Sequence, residues 1–363
     1  MLFKEYDPLK DKLFQVMDSQ GNIIAPKWMP ELSDEFVLEC FKFMHFARTT
    51  DLMSVSYQRQ GRMYTYPPNL GQEAIATGVG KQMRKQDWLV PAFRELGTYL
   101  LKGGKLSDLF LYWGGFEEGS LFSGAPNFLP LSVPIASQLL HAVGIGYAIK
   151  YRKEDGVVFA FVGDGGTSQG DFHEALNFGA VWKVPVIFII QNNQYAISVP
   201  VKKQTVSTNL AVKAVAYGIP GIKVDGNDFF AMYKATEEAI QHAKAGNGPV
   251  LIEALTYRRG AHTTSDDPTL YRTEQEEKVW GEKDPIKRLS LYLVSKGVWK
   301  AEDEESLLDS YKKEVDKEFA VYESHPPYPV ADVFQYQFKD MPDDLKQQQV
   351  AYEKFLHWQE AQK

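Results

Sequence analysis

The sequence predicts an α/β fold: a parallel sheet with helices on both faces, preceded by an N-terminal arm and followed by a helical C-terminal region. Three observations carry this. Between about residues 85 and 270, short β-rich runs alternate with helical segments, the pattern of βαβ units. The runs are apolar without alternation, as in strands buried on both faces. The stretch from Val157 to Ser198 by itself holds a complete strand, helix and strand.

Residues 1–30 carry Pro8, Pro26 and Pro30 among short apolar pieces and are expected to form an arm laid over another surface. A helix is expected from Ser33, which can cap it, because Phe36, Val37, Cys40, Phe41 and Met44 recur at helical spacing. Strands are expected at Trp88 to Phe93, Val157 to Val162, Val184 to Ile190, Ile222 to Asp225 and Val250 to Thr256, with any ligand at their C-terminal ends. The apolar helix around Ala142 to Ala148, with Gly144 and Gly146, is shaped for close packing against its own neighbour or against another chain. From Asp284 to about 320 the chain reads as charged helix. Pro326-Pro327-Tyr328-Pro329 then breaks it before a polar terminal helix near 342–360. The expected organisation is an arm over 1–30, a ligand-binding domain over 31–285 and a helical region over 286–363.

At 363 residues, with 44% hydrophobic and 24% charged residues, the chain has the composition of a folded globular protein. Forty Lys and Arg against 47 Asp and Glu give a formal charge of −7, which offers nothing to nucleic acid or an anionic membrane. Any phosphate must therefore be held locally. The longest apolar run, Val184 to Ile190, is interrupted by Pro185 and falls far short of the roughly 20 residues of a membrane span. Residues 1–30 lack a signal-type core or an Arg-rich transit pattern, so a cytoplasmic location is expected. The single cysteine, Cys40, lies in an apolar helical pattern and reads as a buried structural thiol.

The chemistry concentrates in VVFAFVGDGGTSQGDFHEALNFGAVWKVPVIFIIQNNQYAIS. Its first strand ends at Gly163-Asp164-Gly165-Gly166, where glycines permit a sharp turn and close approach to a ligand. A helix with Phe172, Ala175, Leu176 and Gly179 on one face leads to a second strand ending at Asn192-Asn193. In a parallel sheet both ends emerge at one edge. Asp164 offers a carboxylate oxygen and Asn193 an amide oxygen, a set suited to magnesium, which a backbone carbonyl just after Asn193 could complete. Amides at the helix start beyond Gly166 favour a diphosphate. His262 lies in Arg258-Arg259-Gly260-Ala261-His262-Thr263-Thr264-Ser265-Asp266-Asp267, a loop rich in charge and hydroxyls, where a group titrating near neutrality suits binding of anionic charge and proton shuttling. His141 and His173 sit in helical patterns and read as structural; His45, His242, His325 and His357 read as surface or packing positions.

Gly-Asp-Gly, 26 intervening residues and Asn-Asn after a second strand resemble the thiamine-diphosphate-binding motif. Together with GIPGIKVDGND and RRGAHTTSDDPTLYR, from about residue 30 to the C-terminus, the chain resembles the alpha chain of the decarboxylating component of 2-oxo-acid dehydrogenase complexes. The resemblance implies the thiamine-diphosphate-binding fold, with Asp164, Asn193 and the carbonyl of Tyr195 binding magnesium and Gly165 and Gly166 contacting the diphosphate. The family's usual Tyr-Arg becomes Phe93-Arg94, which keeps the arginine that reaches the phosphates and loses the phenolic hydroxyl. Val133 and Ile135 take the places of the residues that hold the aminopyrimidine and support the bent cofactor. Ser132, Pro134, Ser137 and Gln138 match a potassium site of the branched-chain branch. Thr263 stands where mitochondrial relatives carry a phosphorylated serine, so regulation by phosphorylation does not carry over. The simpler expectation is that this loop orders when cofactor binds, using its hydroxyls and Asp266-Asp267 for local bonds.

The implied reaction is attack of the cofactor carbanion on a 2-oxo acid, loss of carbon dioxide and reductive acylation of a lipoyl group on an acyltransferase component. The glutamate that activates the cofactor belongs, in this family, to a second polypeptide, so the resemblance implies an inactive single chain and an α2β2 heterotetramer with a beta subunit. Pro67-Pro68-Asn69-Leu70-Gly71-Gln72-Glu73 and Leu111-Tyr112-Trp113 look like the pyruvate branch, whereas the His-Thr-Thr-Ser-Asp-Asp-Pro loop also occurs in the branched-chain branch. Thr65, followed by Tyr66, replaces an aromatic residue common seven positions before Gln72 and puts the substrate end of the pocket in question. Gly163-Asp164-Gly165-Gly166 lacks the Gly-x-Gly-x-x-Gly order of a dinucleotide-binding reductase. A noncatalytic scaffold would have lost Asp164, Asn193 or His262.

Overall fold

Five parallel strands form the central sheet of the computed structural model, which describes every residue except Ser123, Ser132 and Lys363. We label them β1 (Trp88–Val90), β2 (Val158–Gly163), β3 (Val186–Asn192), β4 (Gly221–Asp225) and β5 (Val250–Leu255); their spatial order is β1-β2-β3-β5-β4. The expected strands are all present, with ends moved by up to three residues. β1 is the shortest because the chain leaves the sheet at Pro91, which has no amide hydrogen for a ladder.

Alternate residues of the same strands feed two different cores. Phe159, Phe161, Ile187, Ile189 and Ile252 pack on one side with helices Asp34–Arg59, Phe229–Lys244 and Pro285–Ser295. Val158, Ala160, Val162, Val186, Phe188 and Ile190 pack on the other with helices Ser137–Arg152 and Gly170–Trp182. A strand with both faces buried has no polar face to show, hence the absence of alternation in its sequence. Ser33 accepts the Phe36 amide at 3.2 Å and caps the helix Asp34–Arg59. Phe172, Ala175, Leu176 and Gly179 are the buried face of Gly170–Trp182.

The N-terminal arm covers the chain's own sheet edge. Phe14 donates to the Lys223 carbonyl at 2.8 Å and accepts from the Asp225 amide at 2.9 Å, extending the sheet beyond β4. The buried Asp228 carboxylate holds the following amides, accepting from Val16 and Met17 at 2.7 Å each. In helix Ser137–Arg152, Gly146 lies against β3, where a Cβ would meet Val186 at 2.8 Å, while Gly144 faces open space. Close packing against the helix's own neighbour uses Gly146. His173 is satisfied by the Tyr217 hydroxyl at 2.7 Å, whereas His141 is exposed.

The chain divides into two compact units, residues 1–319 and 320–363. Ile286, Leu289 and Leu293 belong to the core of the first. The second contains helices Asp332–Gln335 and Asp343–Glu360, the latter with Tyr352, Phe355 and Trp358 exposed along it. Among the described residues no helix is long and apolar enough to cross a membrane.

Candidate active site

Register brings the expected site residues together. Gly163 at the end of β2 pairs with Gln191 of β3, and Asn192 pairs with Leu255 at the end of β5. The ladder continues past β5, with Thr256 donating to the Asn192 carbonyl at 2.9 Å and Arg258 to the Asn193 carbonyl at 3.2 Å. The segments after β2, β3 and β5 thus leave the sheet at one level and enclose a cavity of about 660 Å³. Phe93, Arg94, Val133, Ile135, Asp164, Gly165, Gly166, Asn193, Tyr195 and His262 all line it.

At one end of the cavity the Asn193 amide lies between the Asp164 carboxylate and the Tyr195 carbonyl. The Asn193 amide has two orientations. With its nitrogen inward it donates to Asp164 Oδ1 at 3.2 Å and to the Tyr195 carbonyl at 3.3 Å; with its oxygen inward, three acceptors converge with no proton among them. Oxygens sharing an octahedral magnesium at 2.0–2.1 Å lie about 3 Å apart, so this spacing fits that ion. Asp164 is 2% exposed, and burial pushes its carboxyl up to about 6. An ion at this point would offset the burial of that charge. The donor set is all oxygen, as magnesium requires.

The glycines are needed for space and not for backbone conformation, which corrects the expectation of a glycine-dependent turn. Neither Gly165 nor Gly166 has a positive φ, but a Cβ on Gly166 would lie 2.3 Å from Val162 and one on Gly165 would lie 2.6 Å from Ala196. The α-helix also starts later than expected. Asp164–Ser168 form a 3₁₀ turn, and the α-helix begins at Gly170. The amides next to Asp164 therefore belong to a tight turn whose carbonyls are partly engaged, Thr167 donating to the Asp164 carbonyl at 2.8 Å.

The other end is built from cations and a loop. Arg94 is buried and donates to the Pro68 carbonyl at 2.6 Å, to the His262 carbonyl at 2.5 Å and to His262 Nδ1 at 3.0 Å. An arginine can only donate, so Nδ1 is the acceptor and the neutral ring carries its proton on Nε2. Burial, with Arg94 and Arg258 nearby, pulls His262 down to about 4. Burial likewise lowers Arg94 to about 9. The loop is ordered by its own groups, with the His262 amide donating to Asp266 at 2.7 Å, Thr264 Oγ1 accepting from the Tyr66 amide at 3.1 Å and the Thr65 and Ser265 hydroxyls 3.1 Å apart. Thr65 and Tyr66 line no part of the cavity; Tyr66 is buried, donating to Asp51 at 2.9 Å. Phe93 meets His262 edge-on at 6.4 Å between ring centres, an apolar wall where a tyrosine would place a hydroxyl.

Val133 and Ile135 are 57% and 45% exposed, so neither belongs to the core. Of the four residues matched to a potassium site, Ser132 lies outside the described residues. Ser137 Oγ donates to the Pro134 carbonyl at 2.8 Å, and Gln138 donates to the Phe161 carbonyl at 2.7 Å. Gln191, Gln204 and Arg258 are among the lining residues that escaped the sequence reading. Gln191 Nε2 is buried without a partner among the described residues, Gln204 donates to Asp164 Oδ2 at 3.2 Å and Arg258 donates to the Tyr195 carbonyl at 2.9 Å. Only Arg258 had a signal, its place in the charged loop. A further cavity of about 680 Å³ contains Arg48 and Arg259, whose charges are met by Glu73, Glu277 and Asp284 within the protein.

Residues 41–331 match the dehydrogenase E1 component family. The chain is 45% identical over 341 residues to the pyruvate dehydrogenase E1 component subunit alpha of Acholeplasma laidlawii, covering 93% of this chain and 99% of that protein. It is 39% identical over 344 residues to the protein of the same name from Mycoplasma genitalium, with 94% and 96% covered. The Staphylococcus aureus (strain Mu50) protein of that name is also 39% identical over 344 residues, with 94% and 93% covered.

Proposed function

The chain belongs to the dehydrogenase E1 component family, and on that premise we propose that it is the alpha subunit of a thiamine-diphosphate-dependent pyruvate dehydrogenase. The observation that carries the site reading is the convergence of Asp164 Oδ1, the Asn193 amide oxygen and the Tyr195 carbonyl. These three would hold magnesium, and the ion with the backbone at Gly165 and Gly166 would hold the diphosphate. When bound, the cofactor supplies the carbanion nucleophile and the electron sink that decarboxylation of a 2-oxo acid needs.

This chain's residues bind, orient and donate. Ile135 and Val133 present apolar surface at the mouth of the cavity, suited to supporting an aromatic ring and excluding water. His262, neutral at pH 7, keeps its Nε2 proton as a donor because Arg94 fixes Nδ1 as the acceptor. That donor is suited to hydrogen-bonding the substrate carboxylate; proton transfer to a lipoyl sulfur would require the imidazolium, which the negative charge of a bound diphosphate favours. Arg94 is committed to the Pro68 and His262 carbonyls, so it acts on phosphate by adding positive charge nearby or by exchanging one of those bonds.

Asp164 is the only carboxylate lining the cavity among the described residues, and it is assigned to the metal. The glutamate that activates the aminopyrimidine must come from elsewhere. This supports a heterotetramer of two such chains with two beta subunits, serving a lipoyl-bearing acyltransferase. The named relatives favour pyruvate over a branched-chain 2-oxo acid. No step is assigned to potassium at Pro134, Ser137 and Gln138.

The test is co-expression with the beta-type chain and assay of cofactor- and magnesium-dependent decarboxylation with an artificial electron acceptor. Pyruvate should be preferred to 3-methyl-2-oxobutanoate, and each chain alone should be inactive. Preference for the branched acid would overturn the substrate, and activity of the alpha chain alone would overturn the shared site.

A further inference from the structure

We propose that Gln204 is a positioning residue that makes Asp164 a one-oxygen ligand and thereby sets the metal preference of the site toward magnesium over calcium. The inference rests on the metal reading above and deepens it. A carboxylate has two oxygens, and Asp164 uses them differently. Oδ1 faces the Asn193 amide at 3.2 Å, whereas Oδ2 accepts from Gln204 Nε2 at 3.2 Å. The Gln204 amide cannot be turned round without cost. Its nitrogen also faces the Val199 carbonyl at 3.4 Å, so the reversed orientation would set an oxygen against two acceptors.

The position of Gln204 is built by the same short segment that supplies the third oxygen. Tyr195–Ala196 and Val199–Pro200 form a two-stranded hairpin, and helix Val201–Gln204 follows directly, tied back by the Val201 amide donating to the Gln194 carbonyl at 3.1 Å. Segment 194–204 thus delivers a ligand carbonyl and the clamp on the opposing carboxylate as one unit.

The consequence follows from ion size. Calcium takes six to eight oxygens at about 2.3–2.6 Å and readily uses both oxygens of a carboxylate; magnesium takes six at about 2.0–2.1 Å and uses one. With Oδ2 engaged by an amide, the two-oxygen mode is closed. Changing a group that orients a metal ligand typically costs roughly 10-fold or more in affinity, and here the cost should fall on magnesium more than on calcium.

The experiment uses the full chain co-purified with its beta-type partner and saturating thiamine diphosphate, titrated calorimetrically with magnesium chloride or calcium chloride. The wild type should bind magnesium more tightly than calcium. Gln204→Leu, which keeps the shape and removes the donor, should weaken magnesium roughly 10-fold with a smaller change for calcium. Gln204→Glu, which adds an oxygen beside Oδ2, should lower the magnesium-to-calcium ratio further. It decides the matter if the leucine variant fails to fold, as judged by ion-free thermal unfolding. Wild-type ratios in both variants, with affinities unchanged or falling together, would overturn the proposal. A wild-type complex that binds neither ion would instead overturn the metal reading itself, and this inference with it.

Discussion

The two ends of the cavity are built by different means. The Asp164 end is a product of the sheet: β2 and β3 stop in register, their continuations are buried, and the Asn193 amide lies between the Asp164 carboxylate and the Tyr195 carbonyl. The His262 end is a product of loops, where Arg94 reaches across to two atoms of His262 and Asp266 holds the loop amide. The first end is preorganised for a cation by covalent and ladder geometry. The second is a set of nitrogen donors whose charge state depends on what lies in the cavity.

Removing the anion from the first end should have the largest effect. Asp164→Ala deletes the only carboxylate lining the cavity among the described residues and should lower affinity for thiamine diphosphate with magnesium by more than about 100-fold, since even changes one shell further out cost roughly 10–100-fold. Pyruvate turnover should vanish with it. The same substitution should raise the thermal midpoint of the ion-free chain, because it removes a carboxyl whose charge burial disfavours. Calorimetry and ion-free unfolding curves would show both signs; a variant with undiminished cofactor affinity would break the distinction between the two ends.

At the other end the effect should fall on turnover more than on binding. His262→Ala should reduce kcat by roughly 10²–10⁴-fold, the range for loss of a positioned proton donor, with cofactor affinity within about 3-fold of wild type because the metal end is untouched. Steady-state kinetics with the partner chain present and cofactor titration would separate the two numbers. Loss of binding as large as that of Asp164→Ala would mean that the loop holds the cofactor as firmly as the metal end.

The same division explains what was legible in the sequence. Strand ends and the Gly-Asp-Gly to Asn-Asn pairing were readable because register follows from apolar runs that have one way to pair, and every residue assigned to the site lines one cavity. The reason for the glycines was not readable. Crowding by Val162 and Ala196 depends on side chains brought in from the strand below and the hairpin opposite. Gln204 was invisible for the same reason, since a glutamine eleven positions after Asn193 carries no pattern. Arg94 was found but its partners were not: its bonds to Pro68 and His262 join segments far apart in the chain. The arm was expected to cover some surface, and only its pairing with Lys223 and Asp225 shows that the surface is its own sheet.

The smallest effect expected is on stability against pH, and its sign follows from the loop end alone. Burial, Arg94 and Arg258 hold His262 down at about 4, with Asp266 pulling weakly the other way; the unfolded value is near 6.5. Between these values the unfolded chain takes up a proton that the folded chain refuses. The contribution of neutral His262 is therefore fully present above about pH 6.5 and is lost as pH falls toward 4. His262→Gln, which cannot take up that proton, should flatten this part of the curve of unfolding midpoint against pH, a difference of a few degrees at most around pH 5. Thiamine diphosphate with magnesium should raise the His262 value by placing negative charge beside it, and histidine NMR titration of the free and loaded complexes would follow that shift directly. Parallel pH curves for wild type and His262→Gln, or a His262 resonance that titrates near 6.5 in the free chain, would show that the ring is not held between the two arginines as a neutral donor.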